Sequence, residues 1–110
     1  MDNCIFCKIV NKEIPSKIRY EDENFLAIDD IYPKAKVHIL LITKKHFLSL
    51  DEIDDNTLLE EILPVAKKIA HKNGLVTGYR IVINTKEDGG QEVEHFHLHI
   101  LGGSKLSSKM

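Results

Sequence analysis

Glu94-His95-Phe96-His97-Leu98-His99-Ile100-Leu101 decides how the rest of the chain is read. Three of the six histidines stand here at strict alternation, with Phe96, Leu98 and Ile100 in the other positions. Period-two alternation predicts a half-buried strand, with the three imidazoles on one face and the apolar side chains on the other. Side chains two apart on one strand face are roughly 6.5–7 Å apart, at about 3.3 Å rise per residue. Two rings at that spacing can act on one small group, and neutral imidazole serves as nucleophile, base or metal ligand near pH 7. Histidine is not a strong strand former, so three in five residues is costly for a purely structural face. A metal site and a phosphate or acyl-transfer site both remain open at this point.

Working outward, Thr85-Lys86-Glu87-Asp88-Gly89-Gly90-Gln91 predicts a flexible glycine loop that delivers the chain to the histidine strand. Adjacent Gly89 and Gly90 let backbone amides approach a ligand without a Cβ clash, and consecutive amides favour anions. Tyr79 to Asn84 reads as the strand before it, and Val37 to Ile42 as an apolar central strand interrupted by His38. His38 reads as a satisfied core histidine or as a site residue. Lys17–Glu21 and Asn24–Asp29 read as a hairpin turning at Asp22-Glu23. Asp30 opens a Pro33-containing loop. It is either a turn residue bonded to its own backbone or an acceptor for a ribose diol.

Residues 51–73 carry the only long helical pattern, with Leu58, Leu59, Ile62, Leu63, Val65, Ala66, Ile69 and Ala70 as a broad apolar stripe. Asp54 or Asp55 would cap its start and Asn73-Gly74 its end, while Pro64 would kink it or remove one hydrogen bond. Near the N-terminus, Cys4-Ile5-Phe6-Cys7 has the spacing of one tetrahedral zinc corner in a short helical turn, or of two buried thiols. Ile14-Pro15-Ser16 ends that turn.

The chain has 110 residues, which predicts one domain over 1–110, with a core at about 4–103 and a mobile Ser/Lys-rich tail at 104–110. Formal net charge is −2, which offers no electrostatic footprint for nucleic acid. No apolar run of 18 residues and no basic-then-apolar leader is present, so no membrane association and a cytoplasmic location are expected. Two cysteines in that setting read as metal ligands, redox thiols or core thiols rather than a disulfide.

Taken together, these motifs resemble the histidine-triad (HIT) superfamily, and within it the Hint branch, in a bacterial type with Cys-x-x-Cys. The resemblance rests on His95-Phe96-His97-Leu98-His99-Ile100-Leu101, the Gly89-Gly90-Gln91 lead-in, the Ile100 to Gly103 exit, Ile5-Phe6-Cys7-Lys8-Ile9, and the segment from His38 to His46. It spans roughly Cys4 to Gly103. It implies an α+β fold, with a mostly antiparallel sheet of about five strands, one long helix and a short N-terminal helical turn.

It also implies a purine nucleotide hydrolase acting on nucleoside 5′-phosphoramidates or related adenylates. His97 would form a nucleotidyl-histidine intermediate and release AMP or GMP. By the same resemblance His99 contacts the phosphate or the bridging atom and His38 supports the histidine cluster. Asn84, Gly89, Gly90 and Gln91 cradle the α-phosphate, Asp30 takes the ribose hydroxyls, and Ile28 and Ile31 line the base pocket. A structural zinc would be held by Cys4, Cys7, His46 and His95, with no catalytic metal or organic cofactor required. Family members are commonly homodimers. Where many Hint members carry Ser after Gly-Gly-Gln, this chain has Glu92 beside the nucleotide, which bears on the leaving group. It also has no Trp and only a short tail. The competing readings are a dinucleoside polyphosphate hydrolase, a nucleotide- or zinc-binding interaction module with little turnover, and a metalloenzyme with open coordination at His97 and His99.

Overall fold

A computed structural model describes residues 3–108; Met1, Asp2, Lys109 and Met110 lie outside it, including the end of the tail expected to be mobile. Five strands form one sheet in the order β1-β2-β3-β5-β4, with β1 at Ile18–Glu21, β2 at Phe25–Asp29, β3 at Val37–Thr43, β4 at Tyr79–Val82 and β5 at His97–Gly102. Every pairing between neighbours is antiparallel. Helix α1 covers Ile5–Val10 and helix α2 covers Asn56–Lys72. This is the α+β arrangement the sequence implies.

The alternation places Phe25, Ala27, Ile39, Leu41, Phe96, Leu98 and Ile100 on one face of the sheet, packed against Leu58, Ile62, Val65, Ala66, Ile69 and Ala70 of α2. Leu59 and Leu63, expected in the same stripe, are exposed on the outer side of the helix. Helix α2 is also shorter than the predicted 51–73. Ser49 accepts the Asp51 amide and closes a separate 3-10 turn at Leu50–Glu52. Asp55 then begins α2 by accepting the Leu58 amide at 3.0 Å, so the cap falls on Asp55 rather than Asp54. Asn73 and Gly74, the latter at φ +80°, close the helix as expected. Pro64 sits on the exposed side inside a continuous helix, where its missing N–H removes one hydrogen bond of the helical ladder.

The opposite face departs from the half-buried expectation. Leu26, Ile28, Leu40 and Ile42 pack there against Phe6 and Ile9 of α1, so the histidine face is covered as well. β5 begins at His97 rather than at Glu94 or His95. The Phe96 amide donates to Phe47 O at 2.7 Å and the His95 amide to Val93 O at 2.8 Å, which keeps both out of the ladder with β3. β4 likewise stops at Val82, short of Asn84. Of the described tail, Leu106 is half-buried and the Ser107 carbonyl accepts from the Arg80 guanidinium. No helix among the described residues is long and apolar enough to cross a membrane.

Candidate functional site

The β3–β5 register sets His38 opposite Leu101, Leu40 opposite His99 and Ile42 opposite His97. His38 and His99 are therefore diagonal neighbours on the face covered by α1, within reach of one another. A cleft of about 820 Å³ opens on this face, and its lining includes His38, His97, His99, Asp30, Ile28, Ile31, Asn84, Gly90 and Glu92. These are nine of the residues singled out in the sequence.

Backbone groups fix how each ring carries its proton. His97 Nδ1 lies 2.7 Å from the His95 carbonyl. A carbonyl only accepts, so Nδ1 holds the hydrogen and Nε2 keeps its lone pair. The Lys34 amide donates to His38 Nδ1 at 3.0 Å, so the hydrogen of His38 sits on Nε2. That Nε2–H donates to His99 Nδ1 at 2.8 Å, which leaves His99 presenting Nε2–H. Asp30 Oδ2 stands 3.4 Å from His38 Nε2 and favours the same tautomer. Burial pushes His97 and His38 below the ordinary imidazole value. His99 is driven down to about 4, by burial first and then by the neighbouring His97 and His38. The cleft thus holds one imidazole with a free lone pair and one presenting a donor, both neutral at pH 7.

The remaining site residues separate into two roles. Asp30 Oδ1 accepts the Tyr32 amide at 2.8 Å, the turn geometry that its sequence context suggests, while its other oxygen remains toward His38. Gln91 does not line the cleft. Its amide nitrogen donates to the Leu48 and Val93 carbonyls and its oxygen accepts the Lys86 amide, which consumes the donors expected to hold a phosphate. Gly89 also lies behind the lining. A Cβ there would stand 2.4 Å from Thr85 O, and its carbonyl accepts from Asn84 Nδ2 at 2.8 Å. The loop expected to be flexible is therefore closed on itself, with Lys86 Nζ also 3.0 Å from Asp51. Gly90, at φ +77°, is the loop glycine that reaches the cleft.

Cys4, Cys7, His46 and His95 meet beside the start of β5, their ligand atoms within 4.8 Å of one another. Sulfur-to-nitrogen distances are 3.3 Å for Cys4–His95, 3.2 Å for Cys7–His46 and 3.5 Å for Cys7–His95, and the two Nδ1 atoms are 3.0 Å apart. A tetrahedral zinc with bonds of about 2.3 Å to sulfur and about 2.0–2.1 Å to nitrogen separates S from N by about 3.5 Å and N from N by about 3.4 Å. The donor set fits within a few tenths of an ångström. His95 Nε2–H donates to Thr43 O at 2.7 Å, which leaves Nδ1 unprotonated and aimed at the cluster. Burial, with the adjacent Cys4 adding to it, pushes the Cys7 thiol up to about 11, a cost that a bound dication would reverse.

A second convergence, Asp30, His38 and His99, also has its ligand atoms within 4.8 Å. It suits a metal poorly. His38 spends its Nδ1 lone pair on the Lys34 amide, so the nitrogen facing the trio carries a hydrogen.

Lys34 and Thr43 act through backbone groups and leave no signal in residue type. Phe6 stands inside the Cys-x-x-Cys motif with nothing in its residue type to mark a role. Phe6 packs edge-on against both His95 and His97.

The chain matches a family profile described as "Scavenger mRNA decapping enzyme C-term binding" over residues 3–110. It is 47% identical over 104 residues to Protein HitA of Neisseria gonorrhoeae, covering 93% of this chain and 97% of that protein. Among solved structures it is similar to a HIT family hydrolase from Legionella pneumophila Philadelphia 1, with 47% identity, a TM-score of 0.91, and 97% and 98% of the two chains covered. A Zn-bound histidine triad family protein from Mycobacterium smegmatis superposes with a TM-score of 0.84 and 38% identity, over 97% of this chain and 81% of the other. The sheet, the alternating histidines from His95 into β5 and these likenesses agree: the chain belongs to the histidine-triad family.

Proposed function

We propose that this protein is a hydrolase that cleaves the α-phosphorus bond of purine nucleoside 5′-phosphoramidates or related adenylates, with His97 as nucleophile. The observation that carries this reading is the bond from His97 Nδ1–H to the His95 carbonyl, which leaves Nε2 a neutral lone pair in the cleft. Nε2 attacks phosphorus, the P–N or P–O bond to the leaving group breaks as that group takes up a proton from solvent, and a nucleotidyl-imidazole forms. Water then attacks the same phosphorus, gives a proton back to solvent, releases the nucleoside monophosphate and returns the lone pair to Nε2. His99 Nε2–H, oriented through His38 from the Lys34 amide, donates to the phosphoryl oxygens as charge develops. Asn84 and Gly90 flank the phosphate, Asp30 accepts from the ribose, and Ile28 and Ile31 wall the base. The hydrolase name of the Legionella relative supports this class of reaction.

Cys4, Cys7, His46 and His95 would hold a zinc ion, which supplies a structural tie between α1 and the segment entering β5. The same reading has the protein cytoplasmic and working as a homodimer, with exposed Leu59 and Leu63 and the free edge of β4 offered to a second copy. Light scattering at micromolar concentration checks the dimer.

The test is turnover of adenosine 5′-phosphoramidate by wild type and His97→Ala, with acid-quenched wild type examined for covalently attached AMP. Turnover and an AMP adduct in wild type, both lost in His97→Ala, are expected. AMP binding without turnover in wild type would instead support an interaction module.

A further inference from the structure

We propose that Phe6 is a positioning residue for His97: its ring, set crosswise to the imidazole, holds the plane in which Nδ1–H meets the His95 carbonyl. The Phe6 and His97 ring centroids are 5.0 Å apart, with the planes at 76°. Phe6 meets His95 in the same way, at 5.9 Å and 82°. It is 6% exposed and lies in the apolar cluster of Ile9, Leu26, Ile28, Leu40 and Ile42, so its own ring has little room to move.

His97 needs this support because its χ2 torsion is broad rather than held in one narrow well. A tilt of the ring plane stretches the Nδ1–H bond to the His95 carbonyl and swings the Nε2 lone pair out of its position in the cleft. One hydrogen bond of ordinary net strength favours the aligned ring over tilted ones by only about two- to tenfold. The crosswise aromatic contact, which fixes the ring plane, adds a factor of similar size. His99 gives a second ring contact, at 5.3 Å between centroids, but that ring must also serve the phosphate. Phe6 takes no hydrogen bond and has no proton to give, so its contribution is one of orientation alone.

The inference rests on His97 as the nucleophile for its effect on rate, but not for its effect on the ring. The experiment pairs steady-state kinetics on adenosine 5′-phosphoramidate with nitrogen-15 NMR of the His97 ring in wild type, Phe6→Leu, Phe6→Met and Phe6→Tyr. Melting curves confirm that each variant is folded; Phe6→Met keeps more of the volume if Phe6→Leu is poorly folded. Leu and Met should lower kcat about three- to tenfold with KM within twofold. They should also broaden or lose the protonated Nδ1 signal of His97. Tyr, which keeps the aromatic ring, should restore both. A rise in KM alone, with kcat and the ring signal unchanged, would make Phe6 only a wall of the cleft and overturn the proposal. An unchanged His97 signal in folded Phe6→Leu and Phe6→Met would also overturn it. A changed ring signal with unchanged kcat would uphold the positioning of His97 and count against His97 as nucleophile.

Discussion

Removal of the zinc proposed at Cys4, Cys7, His46 and His95 is expected to open the N-terminal segment while the sheet stays folded. Helix α1 has only six residues, far below the length at which a helix stands alone in water. Ordering six residues costs about 1–2 kcal/mol each, so about 6–12 kcal/mol. Burial of Phe6 and Ile9, the two buried side chains of α1, returns about 1.5–3 kcal/mol apiece, so about 3–6 kcal/mol. Taken at the middle of both ranges, the shortfall of about 4–5 kcal/mol falls to Cys4, Cys7, His46 and His95. At 1.4 kcal/mol per factor of ten, metal loss should lower amide protection in α1 by about a hundredfold or more. Hydrogen exchange with and without chelator reads this directly. Amides of residues 7–11 should exchange fast in the metal-free protein, while those of β3 and β5 keep their protection. Metal analysis of protein purified without chelator should find one zinc per chain. Unchanged protection of α1 in protein proven free of metal would refute the reasoning, as would collapse of the β3 and β5 protection at the same rate.

Gly89→Ala should destabilise the loop by about 1–3 kcal/mol, because its Cβ would press on Thr85 backbone atoms at 2.4 and 2.7 Å and dislodge the Asn84 bond. Turnover should fall more than the melting temperature, since the loop is exposed. Glu92 is an exposed carboxylate at the cleft, and at about 6 Å in water a unit charge is worth about 0.7 kcal/mol. Glu92→Ser should therefore shift the rate ratio between substrates with cationic and neutral leaving groups by about threefold, against the cationic ones, as read by kcat/KM on a matched pair. The His99 value of about 4 lies below the ordinary 6.5, so between these the unfolded chain binds a proton that the folded chain refuses. Stability should fall as pH drops from about 6.5 toward about 4. His99→Asn should flatten that slope in denaturant titrations, by on the order of 2 kcal/mol over the window after allowance for partial exposure.

The sequence carried those parts of the fold that periodicity determines. The run Val37 to Ile42 is apolar on both sides because β3 is the central strand, with α2 packed on one face and α1 on the other. The end of α2 at Asn73-Gly74 was written in local chemistry and was legible for that reason. Residues 51–55 carried acidic residues suited to a first helical turn, yet Ser49 caps a separate short turn there, and the competition between two caps is settled only by packing. His95 fits the alternation in sequence but not the strand, since Phe47 and Val93 carbonyls draw off the backbone that would have joined β3. Gln91 looked like a ligand donor, and nothing in its identity reveals that the Leu48 and Val93 carbonyls take its hydrogens first. The tautomers of His38 and His97 are set by the Lys34 amide and the His95 carbonyl, groups that every residue possesses. Residue type can name a nucleophile, but it cannot say which nitrogen is free.

The Cys4, Cys7, His46 and His95 cluster and the cleft are therefore not independent features of the molecule. His95 belongs to both: its ring closes the four-residue cluster, and its carbonyl fixes the proton on His97. Phe6 belongs to both as well, because it lies between Cys4 and Cys7 in sequence and against His97 in space. A metal ion that takes no part in bond breaking would still govern the rate, since release of α1 removes one support from His97 and loosens the other. Metal-free protein should then retain a reduced turnover rather than none, with kcat falling by the factor seen in Phe6→Leu or somewhat more. Titrating zinc back should restore kcat and α1 protection along one curve. A kcat that recovers while α1 remains unprotected would separate the two and place the metal's influence elsewhere.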